Sequence, residues 1–68
     1  MGKEANNMNL IGKKIRIVSL DDPYADLYNG KVGIVEAQGE DYEHQVFLRG
    51  TWGGITIYPD QDEFEILN

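Results

Sequence analysis

The chain has 68 residues, no cysteine and a net charge of −6, from twelve acids and six bases. This length provides for one domain with a small core, and without cysteine there is neither a disulfide nor a thiolate metal site. Nucleic-acid binding draws most of its affinity from lysine and arginine, so this acidity argues against a general DNA or RNA binder. No apolar run approaches the roughly 20 residues that span a bilayer, and Met1–Asn9 lacks a signal-peptide core. We therefore expect a cytoplasmic protein without membrane contact.

Short strand-like runs separated by turn residues follow the polar start of the chain. Met1–Asn9 is polar and aperiodic, which predicts a flexible tail over residues 1–10 and one domain over residues 11–68. No segment shows a helical period of ten residues or more. Five strands are predicted, at Lys13–Leu20, Lys31–Ala37, Tyr42–Arg49, Ile55–Tyr58 and a last strand that includes Glu63–Ile66.

The first strand has the clearest pattern. Ile15 and Ile17 alternate with Lys14 and Arg16, the period of two that places one face of a strand in the core and the other in water. Val18 breaks this alternation, which predicts a bulge or a coil near the end of the strand.

The first loop is too long for a tight hairpin. Asp21–Tyr24 carries turn residues, and Asn29-Gly30 is a strong turn pair because both residues tolerate positive φ. A later turn is predicted at Gln38–Asp41. A chain this small with five strands has few ways to bury itself, so the predicted fold class is all-β, a small five-stranded barrel with a long first loop comparable to the first loop of SH3 domains.

Several of these elements together resemble a known family. The residues that carry the resemblance are Gly12–Val18, Asp22-Pro23-Tyr24, Asn29–Val35 and Ile55–Leu67. They are similar to a family of small domains of unknown function that are encoded largely by bacteriophages, prophages and plasmids. Its pattern is a G-x-x-V-R-L strand, an aspartate-proline-tyrosine loop, a G-x-x-G-x-V strand and a closing aspartate and phenylalanine. The resemblance implies an SH3-like barrel without an established activity.

A looser similarity is to the KOW domains of transcription elongation factors and ribosomal proteins. The shared features are the glycine-valine strand and the proline-aromatic loop before it. This similarity implies contact with RNA, ribosomes or polymerase. The basic residues that such contact requires are sparse in this chain.

No catalytic constellation is visible. The single serine, Ser19, ends a strand next to a turn, and the single histidine, His44, lies in a polar strand. The acids Asp60, Asp62, Glu63 and Glu65 lack the glycine-containing spacing of a calcium loop and predict a solvated acidic turn. We predict that the protein is not an enzyme and binds no metal or cofactor.

The aromatic residues are the main candidates for a binding site. In SH3-like barrels, aromatic side chains on the first loop and neighbouring strands form a groove for an extended peptide. The alternative is that these rings cap the ends of a small barrel. The predicted partner-binding residues are Tyr24, Tyr28, Phe47 and Trp52.

The function predicted from these features is a non-catalytic protein-binding module of a phage or another mobile element, present as a monomer or weak dimer. Its acidic turn would steer a basic partner. One alternative is a weak RNA or ribosome binder that uses Lys14, Arg16, Lys31 and Arg49 as phosphate contacts. Another is an acidic decoy that occupies the nucleic-acid site of a host enzyme.

Overall fold

The computed structural model describes residues 9–67, which form a four-stranded antiparallel sheet and one short helix. The strands neighbour one another in the order β3-β2-β1-β4, and this confirms the all-β prediction. Residues 1–8 of the tail predicted for residues 1–10 lie outside the described residues. The elements are β1 (Lys14–Ser19), α1 (Ala25–Tyr28), β2 (Val32–Glu40), β3 (Val46–Gly50) and β4 (Glu63–Ile66).

The fourth predicted strand is reduced to one antiparallel bridge between Leu48 and Ile57. Two backbone hydrogen bonds of 2.8 and 2.9 Å join these residues. On either side of the bridge, side chains form hydrogen bonds with the backbone groups that would pair with β3 in a longer strand. The carbonyl of Ile55 accepts a bond from the Trp52 indole, and the N–H of Tyr58 donates to Asp62. The described residues therefore form four strands and a bridge instead of the predicted five strands.

The alternation predicted for β1 is confirmed. Ile15 and Ile17 are fully buried, whereas Lys14 and Arg16 are exposed. The pairing of β1 with β4 shifts register between Ile17 and Ser19, at the point where the broken alternation predicts a bulge. Local periodicity thus determines both the core face of this strand and its irregularity.

The hairpin between β2 and β3 turns later than predicted. The predicted turn, Gln38–Asp41, belongs mostly to β2, and the chain reverses over Asp41–Gln45 instead. The Asp41 carboxylate accepts two backbone N–H bonds of 2.9 Å within this turn, and His44 adopts a positive φ of 64°. Gly39 lies within β2 opposite Phe47, whose ring covers it, and a Cβ there would approach that ring to 3.1 Å.

The core includes one residue from the predicted tail. Leu10 is buried, and its N–H donates to the Gln38 side chain over 2.7 Å. The packed domain therefore begins before residue 11, the predicted boundary. The buried hydrophobic residues are Leu10, Ile15, Ile17, Leu20, Val35, Leu48, Trp52 and Ile57.

Two glycines leave the space that the Trp52 indole fills. A Cβ at Gly50 would lie 2.5 Å from the indole and would also collide with the carbonyl oxygen of Ile34. A Cβ at Gly33 would lie 2.9 Å from the backbone nitrogen of Trp52. The indole is 3% exposed as a result, and β2 and β3 approach each other closely where it packs.

We expect Gly50→Ala to destabilise the protein by at least about 3 kcal/mol, because the methyl group overlaps both a rigid carbonyl and the indole. Gly54→Ala is the matched control, since nothing lies within 4 Å of a Cβ there. It should change the free energy of unfolding by less than about 0.5 kcal/mol. Urea unfolding of both variants measures this difference, and equal stabilities would contradict the packing described here.

Candidate functional site

The first loop, residues 20–31, leaves the sheet after β1 and returns to it at β2. Its two ends are joined where Gly30 donates to the Ile17 carbonyl over 2.7 Å and Ile17 donates to the Lys31 carbonyl over 2.8 Å. Gly30 has a φ of 93°, but Asn29 is extended, with a φ of −60°. The predicted turn is therefore present, with the positive φ at glycine alone.

Side chains of the loop itself fix its conformation. The Asp22 carboxylate accepts the N–H of Tyr24 over 2.8 Å, the arrangement of an Asx turn that leads into α1. The Asn29 side chain reaches back and accepts the N–H of Leu20 over 3.1 Å. These contacts connect the start of the loop to its end without any partner molecule.

Asp62 ties the loop to the segment before β4. One of its carboxylate oxygens accepts the N–H of Asp21 over 2.7 Å, and the other accepts the N–H of Tyr58 over 2.8 Å. The side chain is buried, with 8% exposure. The prediction of a solvated turn over Asp60, Asp62, Glu63 and Glu65 is therefore wrong for Asp62. Two backbone donors explain its burial, since a carboxylate leaves water only when it is hydrogen-bonded.

Tyr28 supports the loop from beneath. It is half-buried and packs against the core. A Cβ at Gly53 would lie 2.9 Å from the Tyr28 ring, so the segment after Trp52 runs directly beside that ring. The inner side of the loop is thus fixed to the core.

The outer side of the loop presents apolar surface to solvent. Tyr24 is 62% exposed and Leu27 is 67% exposed. The N–H of Leu27 donates to the Tyr24 carbonyl over 2.9 Å, and residues three apart on a helical turn lie side by side. Asp26 is exposed on the same turn, and Asp22 is exposed just before it. We call Tyr24, Leu27, Asp22 and Asp26 the loop patch.

The four aromatic residues predicted to bind a partner occupy three different environments. Tyr24 is exposed in the loop patch, and Tyr28 and Trp52 pack on or in the core. Phe47 lies on β3, with its ring over Gly39 and the Arg49 guanidinium 5.5 Å from its centre. The structure therefore brings Tyr28 close to the Trp52–Gly53 segment and places Phe47 on another part of the sheet.

Leu27 is the apolar residue of the loop patch that the sequence prediction missed, and Asp22 and Asp26 were not predicted as site residues either. The spacing of three from Tyr24 to Leu27, directly after Asp26, was the available signal. A four-residue helix is too short for a periodicity search to detect.

The described residues contain no group of histidine, cysteine, aspartate or glutamate that could hold a metal ion. Within the same residues, every buried side-chain nitrogen or oxygen has a hydrogen-bond partner. No helix among them has the length and apolar character needed to cross a membrane. Comparisons of the chain with known protein families, curated proteins and solved structures find no match.

We expect Asp62→Asn to destabilise the protein by about 2–4 kcal/mol, because the amide NH₂ would face one of the two backbone donors and leave it unpaired. The exposed Asp60 provides the control, and Asp60→Asn should change stability by less than about 0.5 kcal/mol. Thermal and urea unfolding measure both effects. Amide exchange should accelerate in Asp62→Asn at Asp21 or at Tyr58, whichever faces the NH₂ group, and unchanged protection at both would contradict the role assigned to Asp62.

Proposed function

We propose that the protein is a non-catalytic module that binds another protein through the loop patch. The fold proposed for it is an SH3-like barrel whose fourth strand is reduced to a bridge. The order of the strands and the position of Ile57 beside β3 support this fold. A mobile-element origin, implied by the family resemblance, is part of the same proposal.

The observation that carries the proposal is the exposure of two large apolar side chains on a loop that is already ordered. Tyr24 and Leu27 expose more than half of their surface, although Tyr28 in the same loop is packed. A loop held by its own hydrogen bonds loses little conformational entropy when it binds. Clustered exposed apolar side chains with a polar rim are typical of interaction sites.

The charge around the loop patch indicates the chemistry of the partner. Asp22 and Asp26 lie on either side of Tyr24 in the chain, Asp26 directly before Leu27, and the whole chain carries a net charge of −6. A partner with an apolar pocket and a basic rim would match both features, because complementary charge accelerates association and excludes wrong partners.

Two of the four predicted partner residues have an indirect role in this proposal. Trp52 and Tyr28 pack under the loop and position it, so their substitution would affect binding through the loop conformation. Phe47 remains a candidate for a separate contact, since its ring is only half-buried.

The RNA-binding alternative has less support. Arg16 forms an ion pair with Glu65, and Arg49 donates to Thr56 and lies over Phe47. These contacts direct two of the four proposed phosphate-binding side chains toward groups of the protein itself.

We expect the double variant Tyr24→Ala/Leu27→Ala to lose partner capture while it stays folded. Both side chains are exposed, so the free energy of unfolding should change by less than about 1 kcal/mol. Loss of two central apolar contacts should weaken partner binding at least tenfold, a conservative figure for hot-spot residues. Capture is measured by passing lysate of the host cell over the immobilised protein. The affinity is then measured by titration with the purified partner.

Tyr42→Ala is the matched control, because Tyr42 is a fully exposed tyrosine at the β2–β3 turn. It should capture the same partner as the wild type. Capture by the double variant at wild-type level would contradict the proposal. Recovery of RNA whose binding falls steeply with salt would favour the nucleic-acid alternative instead.

A further inference from the structure

The outer edge of β4 has the features of a docking site for an extended peptide. β4 is the last strand of the sheet, and among residues 9–67 only β1 pairs with it. We infer that this edge binds a strand of another protein in which lysine or arginine alternates with aliphatic residues. This surface shares no residue with the loop patch, and the inference does not depend on the proposed function.

The register shows which backbone groups of β4 point outward. Leu67 donates to the Lys14 carbonyl over 2.8 Å, so that pair is hydrogen-bonded. Antiparallel pairs alternate between bonded and non-bonded, which leaves Ile66 opposite Ile15 and Phe64 opposite Ile17 as non-bonded pairs.

The other edge of β1 provides an independent check of this alternation. The backbone of Ile17 bonds to Gly30 and Lys31, on the side toward β2. The amide and carbonyl groups of Phe64 and Ile66 therefore point away from β1. Such a row of outward donors and acceptors is what an added strand binds.

The side chains of β4 define the complementary sequence. Glu63 and Glu65 are exposed and alternate with Phe64 and Ile66, which lie on the core side. Ile66 is 45% exposed, so an aliphatic residue beside it would gain buried area. Residues that face the two glutamates would gain from a positive charge.

The pairing of β1 with β4 demonstrates the same complementarity within the chain. β1 has the alternating sequence Lys-Ile-Arg-Ile from Lys14 onward, and its Arg16 lies opposite Glu65 and forms an ion pair with it. The outer edge of β4 presents the same alternation of glutamate and apolar side chains to an incoming strand.

A second copy of the chain does not fit this edge. In each copy β1 has both edges paired, to β2 and to β4. Antiparallel pairing of two β4 strands would bring Glu63 and Glu65 of the two copies together, and like charges across strands are destabilising.

The probe for this inference is a synthetic peptide that copies residues 13–19, capped at both ends, added to the ¹⁵N-labelled full chain. The amides of Phe64 and Ile66 should shift and exchange more slowly with solvent. A peptide with glutamate at its three basic positions should bind at least about tenfold more weakly. Shifts in β1, in β2 and at the inward amides of Glu65 and Leu67, without slower exchange at Phe64 and Ile66, would indicate that the peptide replaces β1. They would overturn the inference, as would equal binding of the two peptides.

Ile66→Pro tests the outward geometry directly. Proline removes the N–H that points outward and leaves the Leu67–Lys14 bond of the sheet in place. Peptide binding should weaken about tenfold, because one hydrogen bond is lost and the ring crowds the edge. Binding at wild-type level would overturn the inference.

Glu63→Lys tests the charge complementarity of the edge and does not depend on whether the proline variant folds. It should weaken binding of the basic peptide and strengthen binding of the glutamate peptide. Glu43→Lys makes the same change of net charge at the exposed β2–β3 turn and should alter both affinities less than twofold. Equal effects of the two variants would show that only net charge matters and would overturn the inference. The Tyr24→Ala/Leu27→Ala variant should bind the peptide normally, whatever becomes of the loop patch.

Discussion

The packing of one indole between two glycines is the constraint on which the rest of the structure depends. Trp52 is buried because Gly33 and Gly50 carry no side chain at the places where its backbone and ring approach the strands. Its N–H is satisfied by the Ile55 carbonyl, so its burial leaves no polar group unpaired. In a domain of this size, one buried tryptophan supplies a large share of the apolar area.

The position of the first loop follows from this packing together with one buried carboxylate. Tyr28 lies against Gly53, next to Trp52, and fixes the inner side of the loop. Asp62 holds the loop at Asp21 and the segment before β4 at Tyr58. Hydrogen bonds and packing within the protein thus hold the loop that presents Tyr24 and Leu27. The residues that stabilise the loop are therefore different from the two that are available to a partner.

Local patterns predicted the parts of the fold that depend on neighbouring residues. The alternation around Ile15 and Ile17 predicted the core face of β1, and its interruption at Val18 predicted the bulge. The turn at Gly39 was misplaced because a glycine alone does not reveal that Phe47 will cover it from another strand. The burial of Asp62 likewise depends on the backbone N–H of Asp21, 41 residues away in the chain. The loop patch was predicted only at Tyr24, since the exposure of Leu27 depends on a helix of four residues.

The pairing of β1 with β4 has a consequence for the order in which the molecule assembles. Arg16 and Glu65 lie opposite each other across 49 residues of chain, whereas β2 and β3 are joined by a short turn. Closing a long segment requires more entropy to be lost before any contact is gained. Bringing β4 to β1 therefore costs more chain entropy than closing the β2–β3 hairpin, and the long-range pair is the slower of the two to form.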